Sequence, residues 1–225
     1  MSGPRGVWAA LPTPFTASGA LDTGALEENV RRAAAFGIPG VYTTDSDGEF
    51  YALELSEYRQ LAQLFGRAVH AAGIEAAMGI TWSNTQGMID RGRAALDHGI
   101  PLLHVGFPFW MPLAAPDIPH FFEDLARALP ESRWIHYRTP RSHILPSGFD
   151  YAAWQSRYPE NLVGTKLVSN DIAELTEILL HSPTLAHFAG DIACTAASLA
   201  GIRGIYSFWV DVLPEWMLEL WRLYY

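Results

Sequence analysis

One lysine stands out among the residues that could do chemistry. Lys166 is the only lysine of the 225-residue chain, and the other fourteen basic residues are all arginine. It lies in the segment 161–168, Asn-Leu-Val-Gly-Thr-Lys-Leu-Val, whose apolar run predicts a buried strand. An arginine guanidinium stays protonated, whereas a lysine amine can lose a proton and attack a carbonyl carbon. Lys166 is therefore a candidate imine-forming nucleophile, the alternative being a lysine that extends to the rim of the fold.

Composition excludes several other functions. The formal net charge of -9 argues against nucleic acid as a partner, since no basic surface stripe could displace counterions. The lone Cys194 excludes an internal disulfide, and the histidines show no metal-ligand spacing, so we expect neither a metal nor a thiol nucleophile. The chain shows no signal-peptide pattern and no charge-free run of membrane-spanning length. We expect a cytoplasmic protein without a membrane partner.

Short apolar segments alternate eight times with longer amphipathic ones. Strands are predicted at 6–11, 41–44, 75–80, 101–105, 133–137, 162–168, 184–189 and 204–208, and helices at 22–36, 56–72, 84–98, 117–129, 151–157, 171–181, 192–200 and 213–225. Eight such units without a change in composition predict a (β/α)8 TIM barrel that forms one domain over 1–225. A doubly wound open sheet would show a glycine-rich phosphate turn after its first strand, and Pro12-Thr13-Pro14-Phe15 stands there instead.

The carboxyl ends of the barrel strands should carry the chemistry. There the sequence places Asp45-Ser46-Asp47-Gly48-Glu49 after the second strand and Tyr137-Arg138-Thr139-Pro140 after the fifth. Phe107-Pro108-Phe109-Trp110 follows the fourth strand, and Gly190-Asp191 the seventh. Lys166 would then share one barrel mouth with the hydroxyls of Tyr137 and Ser46. Such hydroxyls can move the protons that imine formation requires.

These segments resemble the dihydrodipicolinate synthase/N-acetylneuraminate lyase family of Schiff-base barrels. The resemblance covers essentially the whole chain and rests on Ala10-Leu11-Pro12-Thr13-Pro14-Phe15, Gly48-Glu49, Tyr137-x-x-Pro140, Val163-Gly164-Thr165-Lys166 and Gly190-Asp191. It implies that Lys166 forms an imine with a 2-oxo acid, usually pyruvate, without any cofactor. It also implies that Tyr137 shuttles protons, and that the turn from Ser46 to Gly48 holds the substrate carboxylate. A homo-oligomer, tetramer or dimer, is implied as well.

The turn departs from the family's usual Gly-Thr-Thr-Gly-Glu or Gly-Ser-Thr-Gly-Glu. Asp45 can take the place of the glycine because aspartate tolerates a left-handed backbone. Asp47 is harder to accommodate, because its carboxylate would repel that of the substrate. Its side chain should either point away or serve another group of the substrate. The position of the synthases' carboxylate-binding arginine falls on Ser142, with Arg141 and Arg138 nearby but not equivalent.

Trp110 stands where synthases of the family place a tyrosine, and Thr43-Thr44 precede the turn. Both features are similar to the trans-o-hydroxybenzylidenepyruvate type of hydratase-aldolase, which cleaves aryl-substituted 2-oxo acids to pyruvate and an aromatic aldehyde. We therefore expect a metal-independent lyase that carries out aldol cleavage or condensation on pyruvate or a pyruvate-derived 2-oxo acid. Two alternatives stay open: a 2-oxo-3-deoxy-sugar-acid dehydratase or aldolase, or synthase, of the same family, and a catalytically impaired barrel used for binding or assembly.

The expected catalytic residues are Lys166, Tyr137 and Ser46. The expected substrate-binding residues are Asp47, Gly48, Trp110, His143, Gly190, Asp191 and Ser207. Burial should depress the pKa of Lys166 so that its amine is neutral for attack.

The end of the chain carries a broad apolar helix face: Leu213, Trp216, Met217, Leu220, Trp221 and Tyr224. Family members carry additional helices beyond the barrel, which we expect this chain to lack. A partner, a missing segment or another subunit should then cover this face.

Overall fold

The computed structural model describes residues 3–224, which form a closed barrel of eight parallel strands in sequence order. The strands are β1 (Gly6–Ala10), β2 (Gly40–Thr43), β3 (Glu75–Gly79), β4 (Leu102–Val105), β5 (Arg133–Arg138), β6 (Leu162–Leu167), β7 (Ala186–Gly190) and β8 (Gly204–Ser207). The helices are α1 (Thr23–Ala35), α2 (Leu55–Ala72), α3 (Thr85–Asp97), α4 (Ile118–Ala128), α5 (Gly148–Arg157), α6 (Ile172–His181), α7 (Cys194–Leu199) and α8 (Pro214–Tyr224). One helix follows each strand, and β8 pairs with β1, so the predicted (β/α)8 barrel is confirmed.

Local capping residues determine where the helices begin. Asp22 precedes α1 as predicted, and its carboxylate accepts a hydrogen bond from the Ala25 amide at 3.0 Å. The second helix, predicted at 56–72, begins one residue earlier in the structure. That helix begins at Leu55 after Glu54, whose backbone N–H donates to the Glu57 carboxylate at 2.9 Å.

Alternating side chains fill the barrel interior. One interior cluster is apolar and aromatic and consists of Trp8, Ala10, Tyr42, Ala77, Leu102, Ile135, Ala186, Phe188 and Tyr206. The rings of Phe188 and Tyr206 stack with their centroids 4.3 Å apart. The opposite faces of the strands pack against the helices in a separate, larger core. The interior is therefore a packed core, and any reactive group inside it is shielded from water.

Helix α8 packs only part of its apolar face onto the barrel. Met217 is buried, and Leu220 and Trp221 are partly buried against the core. Trp216 is 76% exposed and Leu213 is 44% exposed. A covering partner would bury these two side chains, and its existence stays a prediction. Within residues 3–224, the helices lack the length and apolar character needed to span a lipid bilayer.

Candidate active site

The Lys166 amine lies inside the barrel, enclosed by aromatic rings. On β6, Lys166 is in register with Tyr137 of β5 and Phe188 of β7, and only 6% of its surface is exposed. Its Nζ lies 4.2 Å from the ring centroid of Tyr42, 4.3 Å from that of Tyr137 and 5.4 Å from that of Tyr206. The ring faces stabilise a cation at this position.

A line of polar contacts runs from the lysine into the barrel. Lys166 Nζ donates a hydrogen bond to Asp45 Oδ2 at 2.8 Å. The same oxygen lies 2.6 Å from Nδ1 of His104, and Nε2 of His104 lies 2.9 Å from the Tyr206 hydroxyl. All four side chains are buried, with Asp45 only 1% exposed. Burying charged groups costs free energy, and in a network of this kind the hydrogen bonds and ion pairs between its members offset that cost.

Asp45 determines the charge of the lysine. Burial by itself lowers the pKa of Lys166, but the Asp45 carboxylate outweighs it, with help from Tyr42 and Tyr137, and raises the lysine pKa well above its ordinary value. Burial likewise raises the pKa of Asp45, while Lys166 and His104 bring it down to about 2. Both groups are therefore charged at neutral pH. The prediction of a depressed lysine pKa is wrong, because it considered burial without a partner.

His104 is neutral between these groups. Burial lowers its pKa more than the neighbouring Asp45 raises it. The neutral ring that satisfies both contacts carries its hydrogen on Nδ1 and donates it to Asp45. Nε2 then accepts a hydrogen bond from the Tyr206 hydroxyl.

The turn after β2 is held tightly against β3. Thr44, with φ of 62°, adopts the left-handed conformation, and Asp45 does not, so the expectation for Asp45 is wrong. The Thr44 hydroxyl donates to the Gly79 carbonyl at 2.8 Å. A Cβ at Gly79 would lie 2.3 Å from Asp45 Oδ1, and one at Gly48 would lie 2.4 Å from the Thr44 amide nitrogen. Both glycines therefore make room for the turn that carries Asp45 and Ser46.

The structure brings the three predicted catalytic residues together. The hydroxyl of Ser46 lies 3.2 Å from that of Tyr137, whose ring contacts the Lys166 amine. Gly48 follows in the same turn, and its carbonyl accepts a hydrogen bond from the Thr13 hydroxyl at 2.6 Å. The ring that contacts the enclosed amine thus carries a hydroxyl paired with a second one, and such hydroxyls can pass protons to and from a carbonyl substrate.

An aromatic cavity of about 200 Å³ opens beside Tyr137. Its lining consists of Ser46, Phe50, Tyr51, Thr81, Phe107, Phe109, Tyr137, Thr139, Arg141 and Ser142. Trp110 is 78% exposed and does not line this cavity, so its expected role as a substrate platform stays a prediction. Phe109 lines the cavity instead. Its ring packs edge-on against that of Phe50, with the two ring centroids 5.4 Å apart.

Arg141 and Ser142 contribute differently to this cavity. Ser142 is buried, and its hydroxyl donates to the Thr139 carbonyl at 2.8 Å. Ser142 therefore supplies no charge to the cavity, at the position where the resemblance implies an arginine. Arg141 is exposed on the same lining and is the cationic residue there. Arg138 points elsewhere and pairs with Glu174 at 2.5 Å.

The remaining predicted binding residues lie away from this cavity. Asp191 accepts a hydrogen bond from the Phe208 amide at 3.3 Å, and burial raises its pKa. Ser207 is buried and its hydroxyl accepts from the Val210 amide at 3.1 Å. Asp47 and His143 are exposed, and Gly190 is partly exposed. Their substrate-binding roles stay predictions.

Two functional candidates are not predicted from the sequence. His104 is absent from the expected site residues, and Asp45 is expected only as a substitute for a glycine. The signal for His104 was a histidine in the apolar strand Leu-Leu-His-Val, on the same alternating face as Leu102. Among residues 3–224, no group of three or more His, Cys, Asp or Glu side chains could hold a metal ion.

The chain has relatives among known proteins. Residues 3–225 match the dihydrodipicolinate synthetase family. A 4-hydroxy-tetrahydrodipicolinate synthase of Methanothrix thermoacetophila is 26% identical over 221 residues, covering 96% of this chain and 72% of that protein. The same enzyme of Stenotrophomonas maltophilia is 31% identical over 217 residues, covering 93% and 70%. A trans-O-hydroxybenzylidenepyruvate hydratase-aldolase of Pseudomonas aeruginosa is 25% identical over 212 residues, covering 91% and 62%.

Solved structures show the same fold. A prophage protein of E. coli K12 from the dihydrodipicolinic acid synthase family, solved in complex with pyruvate, superposes with a TM-score of 0.92 at 19% identity. That match covers 98% of this chain and 75% of the other. The 4-hydroxy-tetrahydrodipicolinate synthase of Methylacidiphilum fumariolicum SolV gives a TM-score of 0.91 at 21% identity, covering 99% and 74%. The chain thus spans between 62% and 75% of these relatives' lengths.

Proposed function

Because this chain belongs to the dihydrodipicolinate synthetase family, we propose that it is a Schiff-base-forming lyase that needs no cofactor. Its substrate would be pyruvate or a pyruvate-derived 2-oxo acid, held as an imine on Lys166. One observation carries the proposal. The amine of Lys166 is enclosed beside the Tyr137 ring, and the Tyr137 hydroxyl lies 3.2 Å from that of Ser46.

The chemistry follows from this geometry. Attack of the amine on the carbonyl carbon gives a carbinolamine, and loss of water gives a protonated imine that withdraws electrons from the adjacent carbon–carbon bond. Tyr137 would carry protons between nitrogen and oxygen in these steps. Ser46 would hold Tyr137 in place and donate to the substrate carboxylate. Removal of water from the interior strengthens each of these interactions.

The cavity favours an aryl group on the second substrate half. Its walls present the rings of Phe50, Tyr51 and Phe109. We therefore place the reaction with aldol cleavage or condensation of the hydratase-aldolase type. The lining hydroxyls of Ser46, Tyr137 and Ser142 already make hydrogen bonds within the protein, which leaves fewer of them free for a polyol chain.

A second candidate is supported by Arg141. This arginine lies on the cavity lining, where it could pair with a carboxylate on the aldehyde. An aldehyde with a carboxylate would then be the second substrate.

Borohydride reduction in the presence of pyruvate tests the imine directly. We expect one covalent adduct by intact mass, and peptide mapping should place it on Lys166, the only lysine in the chain. Lys166→Arg should abolish the adduct while leaving the fold intact, because the arginine keeps the positive charge but cannot form an imine. The N-terminal amine is the internal control for unspecific reduction. A wild-type protein without an adduct at saturating pyruvate would contradict the pyruvate proposal.

A panel of aldehydes then assigns the second substrate. With pyruvate present, aryl aldehydes should be condensed faster than sugar aldehydes. If Arg141 binds a carboxylate, an aldehyde acid should be preferred, and Arg141→Ala should remove that preference without affecting plain aryl aldehydes. Preference for sugar aldehydes would reject the aromatic assignment.

A further inference from the structure

The buried carboxylate beneath the lysine is left unused by the proposed function. Asp45 Oδ2 lies 2.8 Å from Lys166 Nζ, the atom that would become the imine nitrogen. Glycine is the usual residue at this position in the turn that the chain resembles, so the carboxylate is a feature of this chain.

Lys166 is the cation that pairs with the charged Asp45 carboxylate. His104, its other partner, is neutral, because burial lowers the histidine pKa. The second carboxylate oxygen, Oδ1, is buried without a hydrogen-bond partner. Lys166 is thus the only cation among the hydrogen-bond partners of Asp45 that the structure describes. A buried carboxylate with one cationic partner is strongly coupled to the charge of that partner.

The other groups around the amine cannot replace Asp45. Tyr42 of β2 and Tyr206 of β8 face Lys166, and burial raises the pKa of both hydroxyls far above neutrality. Tyr137 of β5 faces the amine with its ring, and its hydroxyl contacts Ser46. His104 of β4 reaches the lysine only through Asp45. Asp45 is therefore the one described anion in hydrogen-bond contact with Nζ.

We propose, resting on the imine chemistry above, that Asp45 is a catalytic residue. Its carboxylate takes a proton from the Lys166 ammonium as the nitrogen bonds to the carbonyl carbon, and afterwards it is the counter-ion of the protonated imine. The charged resting lysine is then compatible with catalysis, since the base that activates it is already in contact.

The protons balance without any further reactant. Asp45 Oδ2 accepts one proton from the ammonium, and the neutral amine forms a bond to the carbonyl carbon while the C=O π electrons move to oxygen. Tyr137 carries a second proton from nitrogen to that oxygen. Asp45 then returns its proton as the C–O bond breaks, and water leaves. The product is a protonated imine that retains one of the three ammonium hydrogens, opposite a charged Asp45.

Nitrogen NMR isolates the lysine, because labelling with 15N-lysine gives a single Nζ signal from this chain. In the wild type, Nζ should remain protonated beyond the ordinary lysine pKa of about 10.4. Asp45→Asn should lower the pKa by about 1–3 pH units, because it removes the opposite charge. If the lysine of the folded wild type titrates at its ordinary pKa, the ion pair between Asp45 and Lys166 is overturned, and no variant is needed for that conclusion.

Imine formation measured against pH tests the catalytic role. Borohydride trapping in the wild type should vary little between neutral and mildly alkaline pH, because the proton acceptor is internal. Because Asp45→Asn also lowers the lysine pKa, its trapping rate is divided by the fraction of neutral amine taken from the NMR titration. Per neutral amine, the variant should trap the imine about 10²-fold more slowly than the wild type, and its uncorrected rate should rise with pH as the amine deprotonates to solvent.

Asp45→Gly provides the second variant, with the residue that is usual in the family's turn. It leaves a space beside Nζ, so formate should restore part of the trapping rate in this variant and have no effect on the wild type. A merely structural role for Asp45 would show no such rescue.

The outcomes separate the two proposals. If the wild type gives no adduct while the NMR shows a charged Nζ that depends on Asp45, the imine function fails and the ion pair stands. If the wild type gives the adduct, and the Asp45 variants trap it at least as fast with the same pH dependence and without rescue, the role of Asp45 is overturned.

Discussion

At the scale of single residues, the charge of Lys166 depends on one distance. Desolvation favours the neutral amine, and a carboxylate oxygen at 2.8 Å favours the cation. The carboxylate prevails because both groups are buried in the same low-dielectric space, where attraction between opposite charges is strong. A lysine enclosed by apolar rings without Asp45 would have titrated in the opposite direction.

Tyr137→Phe tests the proton shuttle at this scale. The variant keeps the ring against Lys166 and loses the hydroxyl that contacts Ser46. We expect imine trapping to slow by roughly 10²-fold, within the range for the loss of a general acid–base group. Tyr51→Phe is the matched control, since Tyr51 lines the same cavity but is 60% exposed. Equal rates for both variants would exclude Tyr137 as the shuttle.

At the scale of elements, strand β3 supports the site through a glycine. Gly79 ends the strand, and its carbonyl accepts hydrogen bonds from the hydroxyls of Thr44 and Tyr58 at 2.8 and 3.0 Å. Its missing side chain leaves space for Asp45. The fixed geometry of β3 therefore positions the turn after β2.

Gly79→Ala should disturb this support. The added Cβ would lie 2.3 Å from both Asp45 Oδ1 and the Thr44 carbonyl oxygen, and the backbone atom cannot move cheaply. We expect urea unfolding to show a loss of about 1–3 kcal/mol, together with a changed Lys166 pKa. Gly190→Ala is the control, because a Cβ there meets nothing within 4 Å. Similar stabilities for the two variants would show that the space beside Asp45 is not needed.

At the scale of the whole molecule, two buried histidines outside the site make stability depend on pH. Burial lowers the pKa of His136 to about 3 and that of His187 to about 4. In the unfolded chain both rings bind protons near pH 6.5, so the unfolded state takes up more protons below that pH. Their contribution to stability is complete above about pH 6.5 and is lost as the pH falls towards 4 and then 3.

Urea unfolding at about pH 7 and about pH 5 measures this effect. The wild type should lose up to about 1.4 kcal/mol per pH unit for each histidine. The double variant His136→Asn, His187→Gln should show a flatter dependence, although it is less stable at neutral pH. His120→Asn controls for an exposed histidine and should keep the wild-type slope. An unchanged slope in the double variant would assign the acid sensitivity to other groups.

The sequence by itself determined the barrel and the place of Lys166 within it. Eight apolar segments of strand length alternate with amphipathic ones, and no glycine-rich turn follows the first, which favours a closed parallel sheet over an open one. Helix ends were predicted where a side chain close in sequence caps them, as Asp22 does. The second helix begins one residue before the predicted range, because Glu54 precedes it and forms a capping box with Glu57.

Only the tertiary structure decided what surrounds the amine. Asp45 and Lys166 are 121 residues apart in sequence, and Asp45 and His104 are 59 apart, so no local pattern joins them. Likewise, only the structure shows that Phe109, rather than Trp110, lines the cavity. The physical reason is that a charge in a barrel depends on the few ångströms between side chains from different strands. Spacing along the chain indicates which residues reach the interior, and packing alone determines which of them touch.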